Sequence, residues 1–339
     1  MEKRVCKKCI MPECHGHVEI GDDGICSLCK RNIEIEDEAN ALGTSVSKDK
    51  LLESLHRKID KKRGKGKYDC AVAVSGGKDS IMSLYIVKNY LKLNPLAIFV
   101  DNGFSIPEMY DNIRNASRIL GVDLIEYKAE DIINLFKVML QMDKQIYFCR
   151  VCHLILDKHI KDLCIENDIS MVFGGYTKGQ SYLAQDELFW IYKISDKNTI
   201  EFMEGKPEYE DLLELFKSPM MYAAKHYRHI EEISPFKYYD YDEKNIIELL
   251  QKELSFKLPS HSWPKNSTNC LFNYMSQYMG RKQFGYTQHE TELSGLIRSG
   301  EMTRERALEL INTPITKKDL YDVLDKLELD HEIIDSMED

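Results

Sequence analysis

An α/β fold organised around an open parallel sheet is predicted by two observations, and a third sets a metal-binding ribbon in front of it. An apolar run rich in β-branched residues at 71–75 has the mark of a buried strand, and further strands are read at 95–100, 122–127 and 170–173. Helical patterns fill the intervals: Ile81, Leu84, Tyr85 and residues 87–91, then 107–120, 131–140 and 151–166. Strand and helix taken in turn give parallel strands joined by crossovers. The third observation is a pair of Cys-x-x-Cys knuckles within the first thirty residues.

At 339 residues the chain can hold one large domain or two ordinary ones. Its formal charge of −10 argues against a general polyanion-binding surface. There is no run of eighteen apolar residues, and the start Met-Glu-Lys-Arg-Val-Cys lacks a signal-peptide core, so a soluble cytoplasmic protein is expected. Most of the ten cysteines fall in Cys-x-x-Cys pairs, which without secretion signals favours metal over disulfides. No internal repeat or low-complexity tract is present.

Taken in order, Cys6, Cys9, Cys26 and Cys29 come first, with sixteen residues between the two knuckles. Four thiolates presented this way suit the closed tetrahedral geometry of structural zinc. Thirty residues cannot bury a useful core unaided, which favours metal over a redox pair. Cys14, His15 and His17 lie between the knuckles and read as bystanders. Residues 1–33 are therefore expected to form a zinc ribbon, and 34–67 a helical linker with Leu51, Leu52, Leu55 and Ile59 on its apolar face. Arg57, Lys58, Lys61, Lys62, Arg63, Lys65 and Lys67 make that linker basic, either as a solvated face or as a local phosphate or RNA contact.

The first strand runs into Ser75-Gly76-Gly77-Lys78-Asp79-Ser80 and a helix follows, so backbone N–H groups point outward where an anion can bind. Glycine admits a phosphate close to the backbone, Lys78 adds positive charge, and the Ser75 and Ser80 hydroxyls can donate to phosphate oxygens. A carboxylate at Asp79 would repel phosphate unless a cation lay between, which implies Mg²⁺. The spacing is not that of a Walker loop. It resembles the PP-loop of the N-type ATP pyrophosphatases, which split ATP between its α- and β-phosphates and leave AMP on a substrate oxygen. The resemblance implies a HUP-type ATP pyrophosphatase domain over 68–240.

Ligands of such sheets bind at the carboxyl ends of the strands. That rule gathers Ser75 to Ser80, Asp101-Asn102-Gly103 and Gly174-Gly175-Tyr176 at one mouth. In the PP-loop family the second strand-end and the later glycine strand-end flank the adenosine, so the resemblance implies Val100, Asp101 and Gly175 as nucleotide contacts. Ordinary strand-terminating turns are the alternative. Lys178 and Gln180, just beyond, read as substrate contacts or as loop.

Cys149-Arg-Val-Cys152 opens the helix leading to the 170–173 strand, and Cys270 stands in a polar stretch where packing would not ask for cysteine. Three thiolates suit a [4Fe–4S] cluster with one open iron, or zinc with an open position. A redox pair and buried packing are the other readings of the thiols. A Cys-x-x-Cys lying 74 residues after Ser75, with one later cysteine, resembles the iron–sulfur-dependent tRNA thiolases of the 2-thiocytidine and 2-thiouridine type. That resemblance implies Cys149, Cys152 and Cys270 as cluster ligands. The long interval before Cys270, with an acidic and aromatic segment around 201–241, and the acidic net charge depart from the pattern.

A second resemblance covers both ends of the chain. Cys6-Lys-Lys-Cys9-Ile-Met-Pro, then Asp22-Asp-Gly-Ile-Cys26-Ser-Leu-Cys29, and the tail from Arg281 to Ala307 are similar to N-acetyl sugar amidotransferases of surface-polysaccharide biosynthesis. There the same activation by ATP is followed by attack of ammonia from a glutaminase partner.

Cys70 and Cys164 are expected in the core. Trp190, Trp263 and the tyrosines from Tyr222 to Tyr241 serve packing or stack on a base or sugar. Residues 241–339 carry Cys270 and a helical appendage, with Thr303 ahead of one helix, Pro314 as a breaker, and Thr316-Lys-Lys-Asp319 capping the next. The expected activity is ATP-dependent sulfur transfer, in which Lys78 and Asp79 serve adenylation and Cys149, Cys152 and Cys270 serve sulfur delivery. The acceptor is a tRNA, a nucleobase or nucleoside, or a sugar, with a sulfur-donor protein as partner. An N-acetyl sugar amidotransferase and a non-catalytic ATP sensor are the alternatives.

Overall fold

The computed structural model describes residues 4–14, 16–32, 48–64, 66–177, 186–264 and 269–335. His15, Lys65, Lys178, Gln180 and the 34–47 part of the expected linker lie outside the described residues.

Helix α1 (Lys48–Lys62) buries Leu55 and Ile59 and turns its charges to water, as the spacing of its apolar residues dictates. Two of its lysines are engaged rather than free: Lys58 pairs with Glu231 at 2.8 Å and Lys62 donates to the His229 carbonyl at 2.9 Å. The sheet follows in β1 (Cys70–Ala73), α2 (Lys78–Tyr85), β2 (Pro95–Asp101), α3 (Pro107–Leu120), β3 (Asp123–Lys128), α4 (Glu130–Met139), α5 (Phe148–Glu166) and β4 (Met171–Phe173). Helices α6 (Asp186–Met203), α7 (Glu210–Lys217) and α8 (Pro219–His226) lead to β5 (Glu231–Ile233) and α9 (Glu243–Leu254). The chain continues through α10 (Phe272–Phe284), α11 (Gln288–Arg298), α12 (Arg304–Ile311) and α13 (Lys317–Lys326).

The strands lie in the order β3-β2-β1-β4-β5 and every pairing is parallel. Side-chain alternation divides the core into two layers. Cys70, Val72, Val74, Phe99 and Phe173 pack on one face with residues of α1, α2, α3 and α9. Ala71, Leu96, Ile98, Val100 and Val172 pack on the other with α4 and α5. Phe272, Met275, Leu293, Val323 and Leu324 join this second layer, so the C-terminal helices share the core of the sheet. Cys70 and Cys164 are fully buried, one in each layer.

Three details differ from the sequence expectation. Strand β1 ends at Ala73 rather than Ser75, although Val74 N still donates to the Ile98 carbonyl at 2.9 Å. A fifth strand lies within the acidic segment; two of its three residues are glutamates, which suits an edge strand and leaves no apolar run to read. Helices α6 to α11 lie where no individual helix was expected, and α11 opens at a Thr287/Glu290 capping box. The expected caps at Thr303 and Thr316/Asp319 are present.

Candidate functional site

The strand order turns back between β1 and β4, and the loops after these strands meet there. Ser75 N donates to Ser80 Oγ at 3.0 Å, and Ser80 Oγ donates to the Gly77 carbonyl at 3.1 Å. The Ser80 hydroxyl is buried and holds the loop's own shape. Gly76 takes φ +81°, and a Cβ there would lie 2.5 Å from the Met109 carbonyl oxygen, so only glycine fits. At Gly175 a Cβ would lie 2.7 Å from the Ser80 nitrogen, which makes this glycine the contact between the β4 end and the start of α2. Gly77 is the N-cap of α2 and has no side-chain cap, so the first amides of the helix suit an anion.

Lys78 stands between two carboxylates, 3.4 Å from Asp79 and 3.3 Å from Glu243. Burial opposes its charge, but Asp79 and Glu243 outweigh burial and hold the ammonium above its ordinary range. Asp79 accepts a hydrogen bond from the Tyr241 hydroxyl at 2.8 Å and is the carboxylate suited to a divalent cation beside phosphates. Glu292 of α11 faces the same pair: burial lifts its carboxyl to about 7, with Lys78 pulling it down and Asp79 pushing it up. Asp101 accepts from Gly103 N at 2.8 Å and from the Tyr110 hydroxyl at 2.7 Å, so its carboxylate shapes the turn after β2. Val100 packs in the core.

The three thiols meet at that same turn. The first turn of α5 is fixed from α6 and α11: Tyr147 N donates to Ser195 Oγ at 2.9 Å, Gln288 N donates to the Tyr147 hydroxyl at 3.1 Å, and Arg150 pairs with Asp196 at 3.1 Å. Cys270 arrives by short antiparallel pairing, with Leu271 N donating to the Phe104 carbonyl at 2.7 Å and Ile106 N to the Asn269 carbonyl at 3.0 Å. Asn102 Nδ2 lies 3.4 Å from Cys152 Sγ and 3.6 Å from Cys270 Sγ, and Cys149 Sγ lies 3.0 Å from Ser276 Oγ. Burial pushes the Cys149 thiol up to about 12 and also raises Cys152 and Cys270, so the thiolate forms need a compensating cation.

Spacing separates the two sets of thiols. The sulfurs of Cys6, Cys9, Cys26 and Cys29 all lie within 4.8 Å of one another, whereas those of Cys149, Cys152 and Cys270 do not form such a group. One tetrahedral zinc with bonds of about 2.3 Å wants sulfurs about 3.8 Å apart. The ribbon matches, with Cys9–Cys26 at 3.7 Å and Cys6–Cys29 at 4.0 Å. The triad is too widely spread for one tetrahedral ion, and a cubane cluster, with one cysteine per iron, would take ligands spread wider than that.

The ribbon thiols are all fully buried, and hydrogen bonds from Cys26 and Cys29 pull Cys6 far down, so the set is built for a shared cation. Cys14 points away, its sulfur 3.8 Å from the Phe284 carbonyl, and His17 lies against Trp190. The ribbon docks on the C-terminal helices: Arg304 donates to the carbonyls of Cys9 at 2.9 Å and Cys6 at 3.2 Å, and Ile10 N donates to Ser294 Oγ at 3.3 Å.

Asn269 links the two parts of the mouth. Its Nδ2 donates to Ser75 Oγ at 2.6 Å, its Oδ1 occupies the space a Cβ on Gly77 would need, and the next residue is Cys270. Sequence reasoning missed the roles of Asn102, Asn269, Glu243 and Glu292, and grouped Tyr241 with tyrosines that pack or stack. Asn102 and Asn269 sit beside residues already singled out, Asp101 and Cys270. Glu243 and Glu292 come from distant segments with no local pattern to mark them. Trp263 is fully buried and donates to the Thr313 carbonyl at 2.7 Å, a packing role.

The family description "Phosphoadenosine phosphosulfate reductase domain", of the PP-loop superfamily, matches residues 69–202. The description "LPS biosynthesis protein WbpG-like, C-terminal domain" matches residues 268–339. An uncharacterized protein of Methanocaldococcus jannaschii is 22% identical over 88% of this chain and 97% of its own length. Among solved structures, the U34-tRNA thiolase NcsA from Methanococcus maripaludis with its [4Fe-4S] cluster is 19% identical, covers 91% of this chain and 89% of its own, and has a TM-score of 0.37. NMN synthetase from Francisella tularensis is 11% identical over 84% of this chain and 98% of its own, with a TM-score of 0.41. No described helix is long and apolar enough to cross a membrane.

Proposed function

From a chain that joins a PP-loop domain to a WbpG-like C-terminal domain, we propose an ATP-dependent, AMP-forming sulfur transferase. The observation that supports the sulfur step is the meeting of Cys149, Cys152 and Cys270 around Asn102 and Ser276, at the same mouth as Ser75 to Ser80. The amides of Gly77 to Asp79 and the Lys78 ammonium hold the triphosphate, and Asp79 orients Mg²⁺, which neutralises its charge. A carbonyl-type oxygen of the acceptor attacks the α-phosphorus, the bond to the β-phosphate oxygen breaks, and pyrophosphate leaves. A sulfur nucleophile then adds to the activated carbon, and AMP departs with the original oxygen. Cys149, Cys152 and Cys270 would hold a [4Fe–4S] cluster, which when bound would bind and hand on that sulfur, and the four ribbon thiols would hold structural zinc.

The match over residues 268–339 favours a second reading, in which the acceptor is an N-acetyl sugar. Its amide oxygen is adenylated in the same way, ammonia from a glutaminase partner adds to the carbon, a proton is lost, and AMP leaves. The formal charge of −10 suits a small acceptor better than tRNA.

The test is to purify the protein anaerobically, count iron, sulfide and zinc, and follow pyrophosphate release with N-acetyl sugars and with unmodified tRNA. Iron and sulfide lost in Cys149→Ser and Cys270→Ser, with zinc retained, and a thiolated product that also disappears, support sulfur transfer. Acceptor-dependent pyrophosphate release and an aminated product, unchanged in Cys270→Ser, overturn it in favour of the amidotransferase.

A further inference from the structure

Asn102 follows β2 and is buried. Its Oδ1 accepts a hydrogen bond from Phe104 N at 3.0 Å, which fixes the orientation of the amide. The NH₂ group must then face the other way, and there it meets two sulfurs, Cys152 at 3.4 Å and Cys270 at 3.6 Å. An asparagine amide carries two N–H donors and one acceptor carbonyl, and here all three functions are used. Aspartate would keep the acceptor and lose both donors; serine is too short to bridge. The two sulfurs are 118 residues apart in the chain and, among the described residues, share no other side-chain donor.

Neutral thiols are weak acceptors, so two N–H groups aimed at them make little sense in a plain core. Thiolates accept such hydrogen bonds with charge assistance. Hydrogen bonds to the ligand sulfurs are one of the levers that set the potential of a cluster, and groups behind the ligands orient them. Ser276 of α10 stands 3.0 Å from the third sulfur, within reach of a hydrogen bond in which either group can donate.

We propose that Asn102 is the positioning residue of the thiolate centre: it holds Cys152 and Cys270 as a ligand pair by donating one N–H to each, and it raises the reduction potential of the cluster they bind. This rests on the cluster reading above. Asn102 makes no step of the chemistry itself and acts only through the two sulfurs.

The experiment compares wild type, Asn102→Asp and Asn102→Ala after anaerobic reconstitution with iron and sulfide. Asn102→Asp retains the acceptor for Phe104 N–H and the side-chain size, and Asn102→Ala removes the donors without adding charge. Zinc content and far-ultraviolet circular dichroism check the fold of each. The readouts are iron and sulfide content, the rate of iron loss to a chelator, and the midpoint potential from a redox titration followed by electron paramagnetic resonance. The expected result is iron loss faster by about 10–100-fold in both variants, with a midpoint potential below wild type where cluster remains. Wild-type iron content, loss rate and potential in both variants overturn the role of Asn102 and leave the cluster standing. A wild type that takes up no iron overturns the cluster reading, and the Asn102 assignment falls with it.

Discussion

Gly175→Ala and its neighbour Gly174→Ala test why the β4 end carries two glycines. A Cβ on Gly175 would lie 2.7 Å from Ser80 N, 2.9 Å from Asp79 C and 2.9 Å from Ser80 Cα, all backbone atoms. Ordinary carbon contacts are about 3.5–4.0 Å, so the strand end and the start of α2 must part by roughly 1 Å. Overpacking of this kind costs about 1–3 kcal/mol. The displaced atoms belong to Asp79 and Ser80, which carry the loop, and a misplacement of about 1 Å in such a site lowers turnover by about 100-fold. On Gly174 the nearest atoms are Tyr176 ring carbons at 2.8 and 3.0 Å, and that ring is 59% exposed and free to turn aside. Its cost stays within about 0.5 kcal/mol. Urea unfolding and ATP binding by calorimetry on both variants, with pyrophosphate release once an acceptor is in hand, separate the two. Equal losses at the two positions, or wild-type ATP binding in Gly175→Ala, would refute the close-approach account.

Two further outcomes follow from features outside the loop. Arg304→Ala removes two charge-assisted hydrogen bonds to the ribbon carbonyls and should lower stability by about 1.5–3 kcal/mol while zinc content is retained, read by thermal melting and metal analysis. Burial, with Arg281 and His153 adding to it, holds the His289 imidazole down to about 3. The unfolded chain takes up that proton near 6.5, so the contribution to stability is complete above about 6.5 and is lost as pH falls toward 3. That loss is on the order of 5 kcal/mol, and His289→Gln should flatten the acid limb of the urea stability profile between pH 4 and 6.5.

The parallel sheet was legible because β1, β2 and β4 are buried on both faces and therefore read as unbroken apolar runs. β5 was not, since an edge strand with Glu231 and Glu232 carries no such signature. The loop from Ser75 to Ser80 stood out because Ser-Gly-Gly-Lys-Asp-Ser is a local pattern, and so did the ribbon knuckles. Glu243, Tyr241 and Glu292 reach Lys78 and Asp79 only through the packing of α9 and α11, and nothing in their neighbours along the chain signals it. Asn102 is an intermediate case. It lay in view within Asp-Asn-Gly, a sequence that by itself says only turn, and only the fold reveals what its amide faces.

The docking of the ribbon sets an order on the protein's synthesis. Arg304 grips Cys9 and Cys6 across 295 and 298 residues. At roughly 5–20 residues per second a ribosome needs about 15–60 s to make that length of chain. For most of that interval the four cysteines have been made while the helices that will cover them do not yet exist. Captured zinc would hold the nascent ribbon in shape over that wait, and a cell short of zinc would leave a reactive thiol cluster waiting beside an unfinished chain.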